Sequence, residues 1–281
     1  MRSGPGSKAR RWPPNNRMKT FDIPYFSVDG DGVFHGNDPT RGPWDVNACH
    51  AGPVMGLVAR AAEALVPEKR MTRLSADLMR PIPLDGFRVT AEIRREGRLT
   101  GATSVKVTNR DGKDCVLAST LHIAETDLGE VPTAPFPLPD FAASVEGQFP
   151  VQETAHDLPC FSHCVEVRYP PGENPDPGPT TLWMRGPHLL AGEAPTTFQR
   201  LCPLADCGNG TSRNAEIAVM GFMNCDITIV AHRHSDAEWL GSQARSHWQP
   251  NGIALAEAEI FDDKGPVASV LQTVVLMPAK A

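Results

Sequence analysis

Histidines and cysteines are the first candidates for chemistry in this sequence. Cys160, His163 and Cys164 carry metal-ligand side chains at close spacing, and Cys202 with Cys207 could complete a four-ligand zinc site. Phe161 to Tyr169 reads as a strand, however, which would turn His163 and Cys164 to opposite faces, so no metal is expected. Cys49 and His50 have the types of a nucleophile and its base. Neighbours in a chain seldom face one another, and no third group orients them. A G-x-S-x-G elbow is absent, which argues against serine chemistry of the α/β-hydrolase kind. His232-Arg233-His234 closes a strand. Its plain role is a solvated strand end, although an Arg fork also suits anionic phosphate. The same holds for Arg94, Arg95 and Arg98, where a solvated face is the better reading. Gln272 differs from all of these, because it interrupts the apolar run VLQTVVL, and a buried amide needs partners.

The elements that must position these residues are legible from periodicity. LSADLMR, FRVTAEIRR, ATSVKVTNR and CVLASTLHIA, between Leu74 and Ala124, are strand-length and partly alternating, with a hairpin turn at Asn109 to Gly112. Before them, Ala51 to Leu65 reads as one buried helix, rich in Ala and Leu, with Pro53 tolerated in its first turn. From Glu125 to Pro159 prolines recur and periodicity disappears, as in a linker. The plan then returns. FSHCVEVRY and TTLWMRG are strand-like, and Thr197 to Asp206 is helix-like, with Pro203 set to end or kink it. FMNCDITIVAH, WLGSQARSHW, IALAEAEIF and VASVLQTVVL follow as four strands, with a turn at Asp262 to Gly265.

The two halves superpose on one offset without a gap. Arg80 falls on Arg233, Gly112 on Gly265, Thr120 on Thr273 and Cys49 on Cys202, each 153 positions apart. Identities are few, so the repeat rests on shared strand, turn and helix positions. A helix followed by an antiparallel sheet, given twice, suggests that each sheet wraps its own helix and that the two sheets join edge to edge.

Composition bounds the function. The 281 residues are 41% hydrophobic and 21% charged, as in an ordinary globular protein. A net charge of −6 argues against a nucleic-acid partner, which would need a basic face. No run of about 20 apolar residues exists to span a membrane. Seven scattered cysteines fit a reduced, cytoplasmic protein better than a disulfide framework. Residues 1–17, rich in Pro, Gly, Ser and Arg, read as a disordered leader, with Met18 starting the first domain.

Taken together, CHAGPVMGLVARAAEAL (Cys49 to Leu65), LSADLMRPIPL (Leu74 to Leu84), LLAGEAPTTFQRLCPLADCGNG (Leu189 to Gly210), NCDITIVAHR (Asn224 to Arg233) and PVASVLQTVVL (Pro266 to Leu276) give the chain a family likeness. From Phe21 to Met277 it resembles the acyl-CoA thioesterase II family, which has a double hot-dog fold. The resemblance implies an α+β architecture with two antiparallel sheets, each wrapping a central helix. The domains it suggests are residues 18–124, a linker at 125–159, and 160–281 carrying the active site. It further implies a water activated by an Asp at the end of the second helix, a hydroxyl in a D-x-[ST] strand motif and a Gln in a VASxxQ strand. Those positions fall on Asp206, Thr228 and Gln272.

An Asp carboxylate can take a proton from water, and a Thr hydroxyl and a Gln amide can orient that water without titrating. Backbone N–H groups at the helix start His50-Ala51-Gly52 would stabilise the oxyanion, and Arg233 would meet the phosphates of CoA. Shifting the trio back by the offset gives Pro53, Ser75 and Ser119, so the first half should lack a second catalytic set. The expected activity is hydrolysis of an acyl-CoA without metal or cofactor, in a homo-oligomer. A non-catalytic acyl-CoA-binding module is the alternative from another class. A hydratase or dehydratase would want a His paired with an Asp or Asn, and no such pair is visible in the sequence.

Overall fold

The computed structural model describes residues 21–152 and 154–278; the leader expected at 1–17 and the domain start at Met18 lie outside them. Two short strands, β1 (Phe26–Val28) and β2 (Phe34–Gly36), precede the first helix, α1 (Ala51–Leu65). The first half continues with β3 (Arg70–Leu78), β4 (Phe87–Glu96), β5 (Thr100–Asn109) and β6 (Asp114–Ile123). A long connection holding β7 (Val145–Gly147) leads to β8 (Glu166–Tyr169) and β9 (Thr180–Arg185). Then come α2 (Thr197–Ala205), α3 (Gly208–Thr211), β10 (Met220–Asn224), β11 (Asp226–Ala231), β12 (Leu240–Trp248), β13 (Ile253–Asp262) and β14 (Gly265–Pro278).

All strand pairings found are antiparallel, and they make one curved sheet in the order β1-β2-β4-β5-β6-β3-β11-β14-β13-β12-β9-β8-β7, with β10 also on β14. This is the double hot-dog, an α+β fold, with the two expected sheets fused into one. Period-2 alternation explains it: in β5, Gly101, Thr103, Val105 and Val107 are buried while Lys106 is exposed, so one face of each strand seals over a helix. The halves meet at β3 and β11, where Thr228 lies directly opposite Ser75, its repeat mate. The hydroxyls of these two residues, 153 positions apart, are hydrogen-bonded at 3.1 Å. Pairing the two inner strands removes an edge from each half.

α1 is apolar nearly all round, and Val54, Met55, Leu57, Val58, Ala59 and Ala62 are buried. It packs antiparallel against α2. Gly52 lies on Pro203 and Asp206, and Gly56 on Leu189 and Gln199. At the far end Glu63 accepts hydrogen bonds from Thr196 (2.9 Å) and Gln199 (2.7 Å). Glycine at positions 52 and 56 lets the backbones approach closely.

Three local expectations need correction. The offset that matches the strands does not extend to the helices: Cys49 precedes α1 whereas Cys202 lies inside α2. Pro203 lies inside α2, which stops at Ala205, and a longer connection through α3 restores the strand register. FSHCVEVRY is a strand only from Glu166; Phe161–His163 is a 3-10 turn that brings Cys160 Sγ to 3.3 Å from His163 Nδ1. Among the described residues no three His, Cys, Asp or Glu side chains cluster tightly enough to hold a metal, and no helix is long and apolar enough to cross a membrane. Finally, FMNCDITIVAH is two strands broken at Cys225, which bears directly on the site.

Candidate active site

Asp206 is the C-cap of α2, in helical backbone geometry, three residues beyond the proline inside the helix. There its side chain meets the N-terminus of α1 and is only 6% exposed. A carboxylate at a helix N-terminus faces the positive end of the macrodipole and unpaired backbone N–H groups.

Two amides hold this carboxylate. Asn224 donates from Nδ2 to Asp206 Oδ1 at 2.8 Å, and Gln272 donates from Nε2 to the same oxygen at 3.2 Å. Asn209 fixes both amides. Its N–H donates to Gln272 Oε1 at 3.0 Å, and its side-chain Nδ2 donates to Asn224 Oδ1 at 3.3 Å. With each amide oxygen occupied, each amide nitrogen is left to face Asp206. Gly208 makes room for this, since a Cβ there would sit 3.0 Å from Gln272 Oε1.

Of the three residues expected to converge, the structure brings together Asp206 and Gln272 but not Thr228. The reason is pleat parity. Thr228 faces Leu271 across the β11–β14 ladder, and cross-strand partners point to the same face. Leu271 is exposed on the outer face, whereas Gln272, one residue on, is 1% exposed on the inner one. Asn224 takes the third place through a one-residue slip. It faces Val274, while Thr228 faces Leu271, so four steps along β10–β11 match three along β14. The extra residue is a bulge at Cys225, which re-aims Asn224 inward.

His50 is the fourth neighbour of the carboxylate. It is the N-cap of α1, and its Nδ1 accepts the Gly52 N–H at 3.2 Å and lies 3.1 Å from Asp206 Oδ2. Its ring stacks on Phe161 with centroids 4.1 Å apart and planes 15° apart, and Phe161 stacks in turn on Tyr25. His50 with Asp206 is thus the His–carboxylate pair that the sequence did not reveal. Burial is the main influence on both groups. It raises the pKa of Asp206 against the opposing pull of His50, Asn224, Gly52 N–H and Gln272. It lowers that of His50 against the pull of Asp206.

A cavity of about 310 Å³ opens onto this cluster, lined by Asp206, Asn209, Asn224, His50 and Ala51 at one side. Most of the rest of its wall is apolar and aromatic, including Trp44, Met79, Phe149, Phe161 and Phe222, with Trp44 and Phe222 edge to face at 5.9 Å; Asp45, Arg80 and Ser162 are the polar exceptions. An apolar cleft with a few convergent polar groups is the usual form of a small-molecule site.

The remaining expected binding residues divide. Ala51 lines the cavity. The Gly52 N–H lies between His50 Nδ1 and the Asp206 carboxylate, and the His50 N–H goes to Thr40 O at 2.7 Å, which leaves the Ala51 N–H as the helix-start donor without a partner among the described residues. Arg233 does not reach the cavity. Its guanidinium bonds Asp262, Pro266 O, Gly265 O and His234 O, clamping the β13–β14 turn, so its fork is spent. Its repeat mate Arg80 stands exposed at the cavity wall, with one bond to Asp114 O.

Comparison with known proteins agrees with this architecture. One family model, the acyl-CoA thioesterase N-terminal domain, matches residues 40–123, and another, the acyl-CoA thioesterase C-terminal domain, matches residues 131–276. Similar solved structures include the tesB protein of Mycobacterium avium subsp. paratuberculosis (18% identity, 90% of this chain and 96% of that one, TM-score 0.63). Another is an acyl-CoA thioesterase II, TesB2, from Mycobacterium marinum (18% identity, 90% and 94%, TM-score 0.58). A third is a conserved hot-dog protein of unknown function from Alicyclobacillus acidocaldarius (18% identity, 90% and 95%, TM-score 0.68). Among curated proteins, none matches significantly.

Proposed function

This chain belongs to the acyl-CoA thioesterase family, and from that premise we propose that it hydrolyses an acyl-CoA to the free acid and CoA at Asp206. The observation that carries the reading is a buried carboxylate, held by two amides, on the wall of an apolar cavity. The acyl group occupies the aromatic part of the cavity. Its thioester carbon lies near Asp206, and a water between them loses a proton to the carboxylate as its oxygen attacks. Asn224 and Gln272 hold the carboxylate in place, with Asn224 in the role expected of Thr228. The Ala51 N–H, at the positive end of α1, is the donor for the developing oxyanion. Arg80 at the exposed wall is the group suited to the anionic part of CoA.

The reaction needs no metal or cofactor, because thioesters are reactive acyl donors. The domain division at 18–124, 125–159 and 160–281 stays part of the reading, with the second half supplying Asp206, Asn224 and Gln272. His50 and Ala51, however, come from the first half. Seven free cysteines suit a reduced, cytoplasmic setting. A homo-oligomer is supported by the apolar outer sheet face, where Ile253 is 59%, Met223 50% and Leu271 48% exposed.

Thiol release from a series of acyl-CoAs, followed with a thiol reagent, tests the reading. Turnover of at least one chain length is expected; binding without turnover across the series supports the non-catalytic module instead. Hydration of an enoyl thioester would draw on the same His50–Asp206 pair, so the series includes an enoyl-CoA. The proposal expects free thiol from it and no hydroxyacyl product.

A further inference from the structure

We propose that His50 protonates the departing thiolate, fed by Asp206 through its other ring nitrogen, an inference that rests on the reading of the site given above. The ring is placed for this by three contacts, two at Nδ1 and one on the ring face. In the tautomer that carries its hydrogen on Nε2, Nδ1 accepts the Gly52 N–H at 3.2 Å. Nδ1 also lies 3.1 Å from Asp206 Oδ2. Two acceptors at that distance attract only when a proton lies between them, which is the state Asp206 reaches on taking a proton from water. Stacking on Phe161 at 4.1 Å fixes the ring plane. Nε2 has no hydrogen-bond partner among the described residues and is not among the sealed polar atoms, and the ring lines the cavity. Its remaining N–H is therefore open to whatever occupies that space. Burial keeps the ring neutral, as a relay through both nitrogens requires.

The step balances. The water oxygen bonds the thioester carbon and its proton passes to Asp206 Oδ2. The C–S bond then breaks with its electron pair going to sulfur, sulfur takes the proton from Nε2, and Nδ1 takes the proton from Asp206. Acid and thiol leave. Asp206 is ionised again and His50 is neutral in its other tautomer, which exchange with solvent through the open cavity resets.

Leaving-group dependence separates this role from simple capping. His50→Asn retains a side-chain acceptor for the Gly52 N–H, since Asn is a strong N-cap, but removes Nε2. The same acyl group is presented on CoA, a poor leaving group that needs a proton, and on an acidic aryl thiol, a good one that does not. The expected result is a fall in kcat of about 100-fold or more on the acyl-CoA, the scale of general acid catalysis, and of less than about fivefold on the aryl thioester. His50→Gln, which reaches the lumen with an amide that donates but cannot transfer a proton, should show the same selectivity if the Asn variant folds poorly. Equal losses on both thioesters, or none on either, would overturn the relay. Asp206→Asn, run alongside, should lose both substrates alike; if it keeps them, the reading of the site fails, whatever His50 does.

Discussion

Replacing Gly52 with alanine adds one methyl group at the tightest point between α1 and α2. The new Cβ would stand 2.9 Å from Pro203 O, 3.0 Å from Pro203 Cα and 3.0 Å from Asp206 Cβ, where ordinary contact begins near 3.4 Å. Two of these atoms are backbone and the third is the root of the Asp206 side chain, so relief requires the helices to part by about half an ångström. Overpacking of this kind costs about 1–3 kcal/mol, and the better helix propensity of alanine returns at most about 1 kcal/mol. A net loss of about 1–2 kcal/mol lowers the Tm of a chain this size by roughly 2–8 °C. The same displacement separates Asp206 from His50 and the Ala51 N–H. Because misplacement by about 1 Å can cost on the order of 100-fold, kcat should fall by about tenfold. Gly56→Ala is the control. Its Cβ would meet Leu189 methyls at 2.7 and 3.0 Å, the far end of a flexible side chain, and the Gln199 carbonyl only at 3.3 Å, and it lies one turn from the site. It should keep kcat within about twofold. Thermal melts and thiol-release kinetics on both variants decide the matter. A Gly52→Ala protein with unchanged Tm and kcat, or a Gly56→Ala protein equally inactive, would refute the helix contact as the device that sets the site.

Asn224→Ala should lower kcat by roughly 10- to 100-fold, whereas Thr228→Val, which removes only a hydroxyl bonded to Ser75 on the outer face, should leave kcat unchanged and cost about 1 kcal/mol in urea unfolding. Asp206 must be ionised to accept a proton, and burial raises its pKa, so the acid limb of the kcat profile should lie above the range of an ordinary aspartate. Between the unfolded and the raised folded pKa the native state binds more protons, so this group's contribution to stability falls as pH rises through that window. Urea melts of the wild type and Asp206→Asn should show the dependence lost in the variant. Arg80→Ala should raise KM for acyl-CoA about tenfold without changing kcat. Arg233→Ala should leave KM alone and cost about 3 kcal/mol, because it removes the cation paired with the buried Asp262 carboxylate.

The strands and α1 were legible because period-2 alternation and an all-round apolar helix are local signals, carried by runs such as Thr100–Asn109 and Ala51–Leu65. Asp206 and Gln272 were also within reach, the latter because a polar residue breaks an apolar strand. Asn224 was not. Counted back from the buried Ile227, alternation puts Asn224 on the outer face, and only the bulge at Cys225 reverses it. A bulge leaves little trace in residue type. The His50–Asp206 contact was hidden for a different reason: the two side chains lie in different halves and meet only through the packing of α1 on α2. The pairing of Arg233 was not legible either, because its partner Asp262, in the adjacent hairpin, is equally suited to a solvated turn.

The account stands on the Asp206 carboxylate as the base that drives hydrolysis. The direct measurement is thiol release from a turned-over acyl-CoA by Asp206→Asn, with calorimetric binding of the same acyl-CoA in parallel. The expected outcome is a loss of turnover of at least about 1,000-fold at nearly unchanged Kd, since an amide of the same shape fills the site but cannot take a proton. An Asp206→Asn protein that still turns over within about tenfold of wild type would place the chemistry on another group and contradict the account.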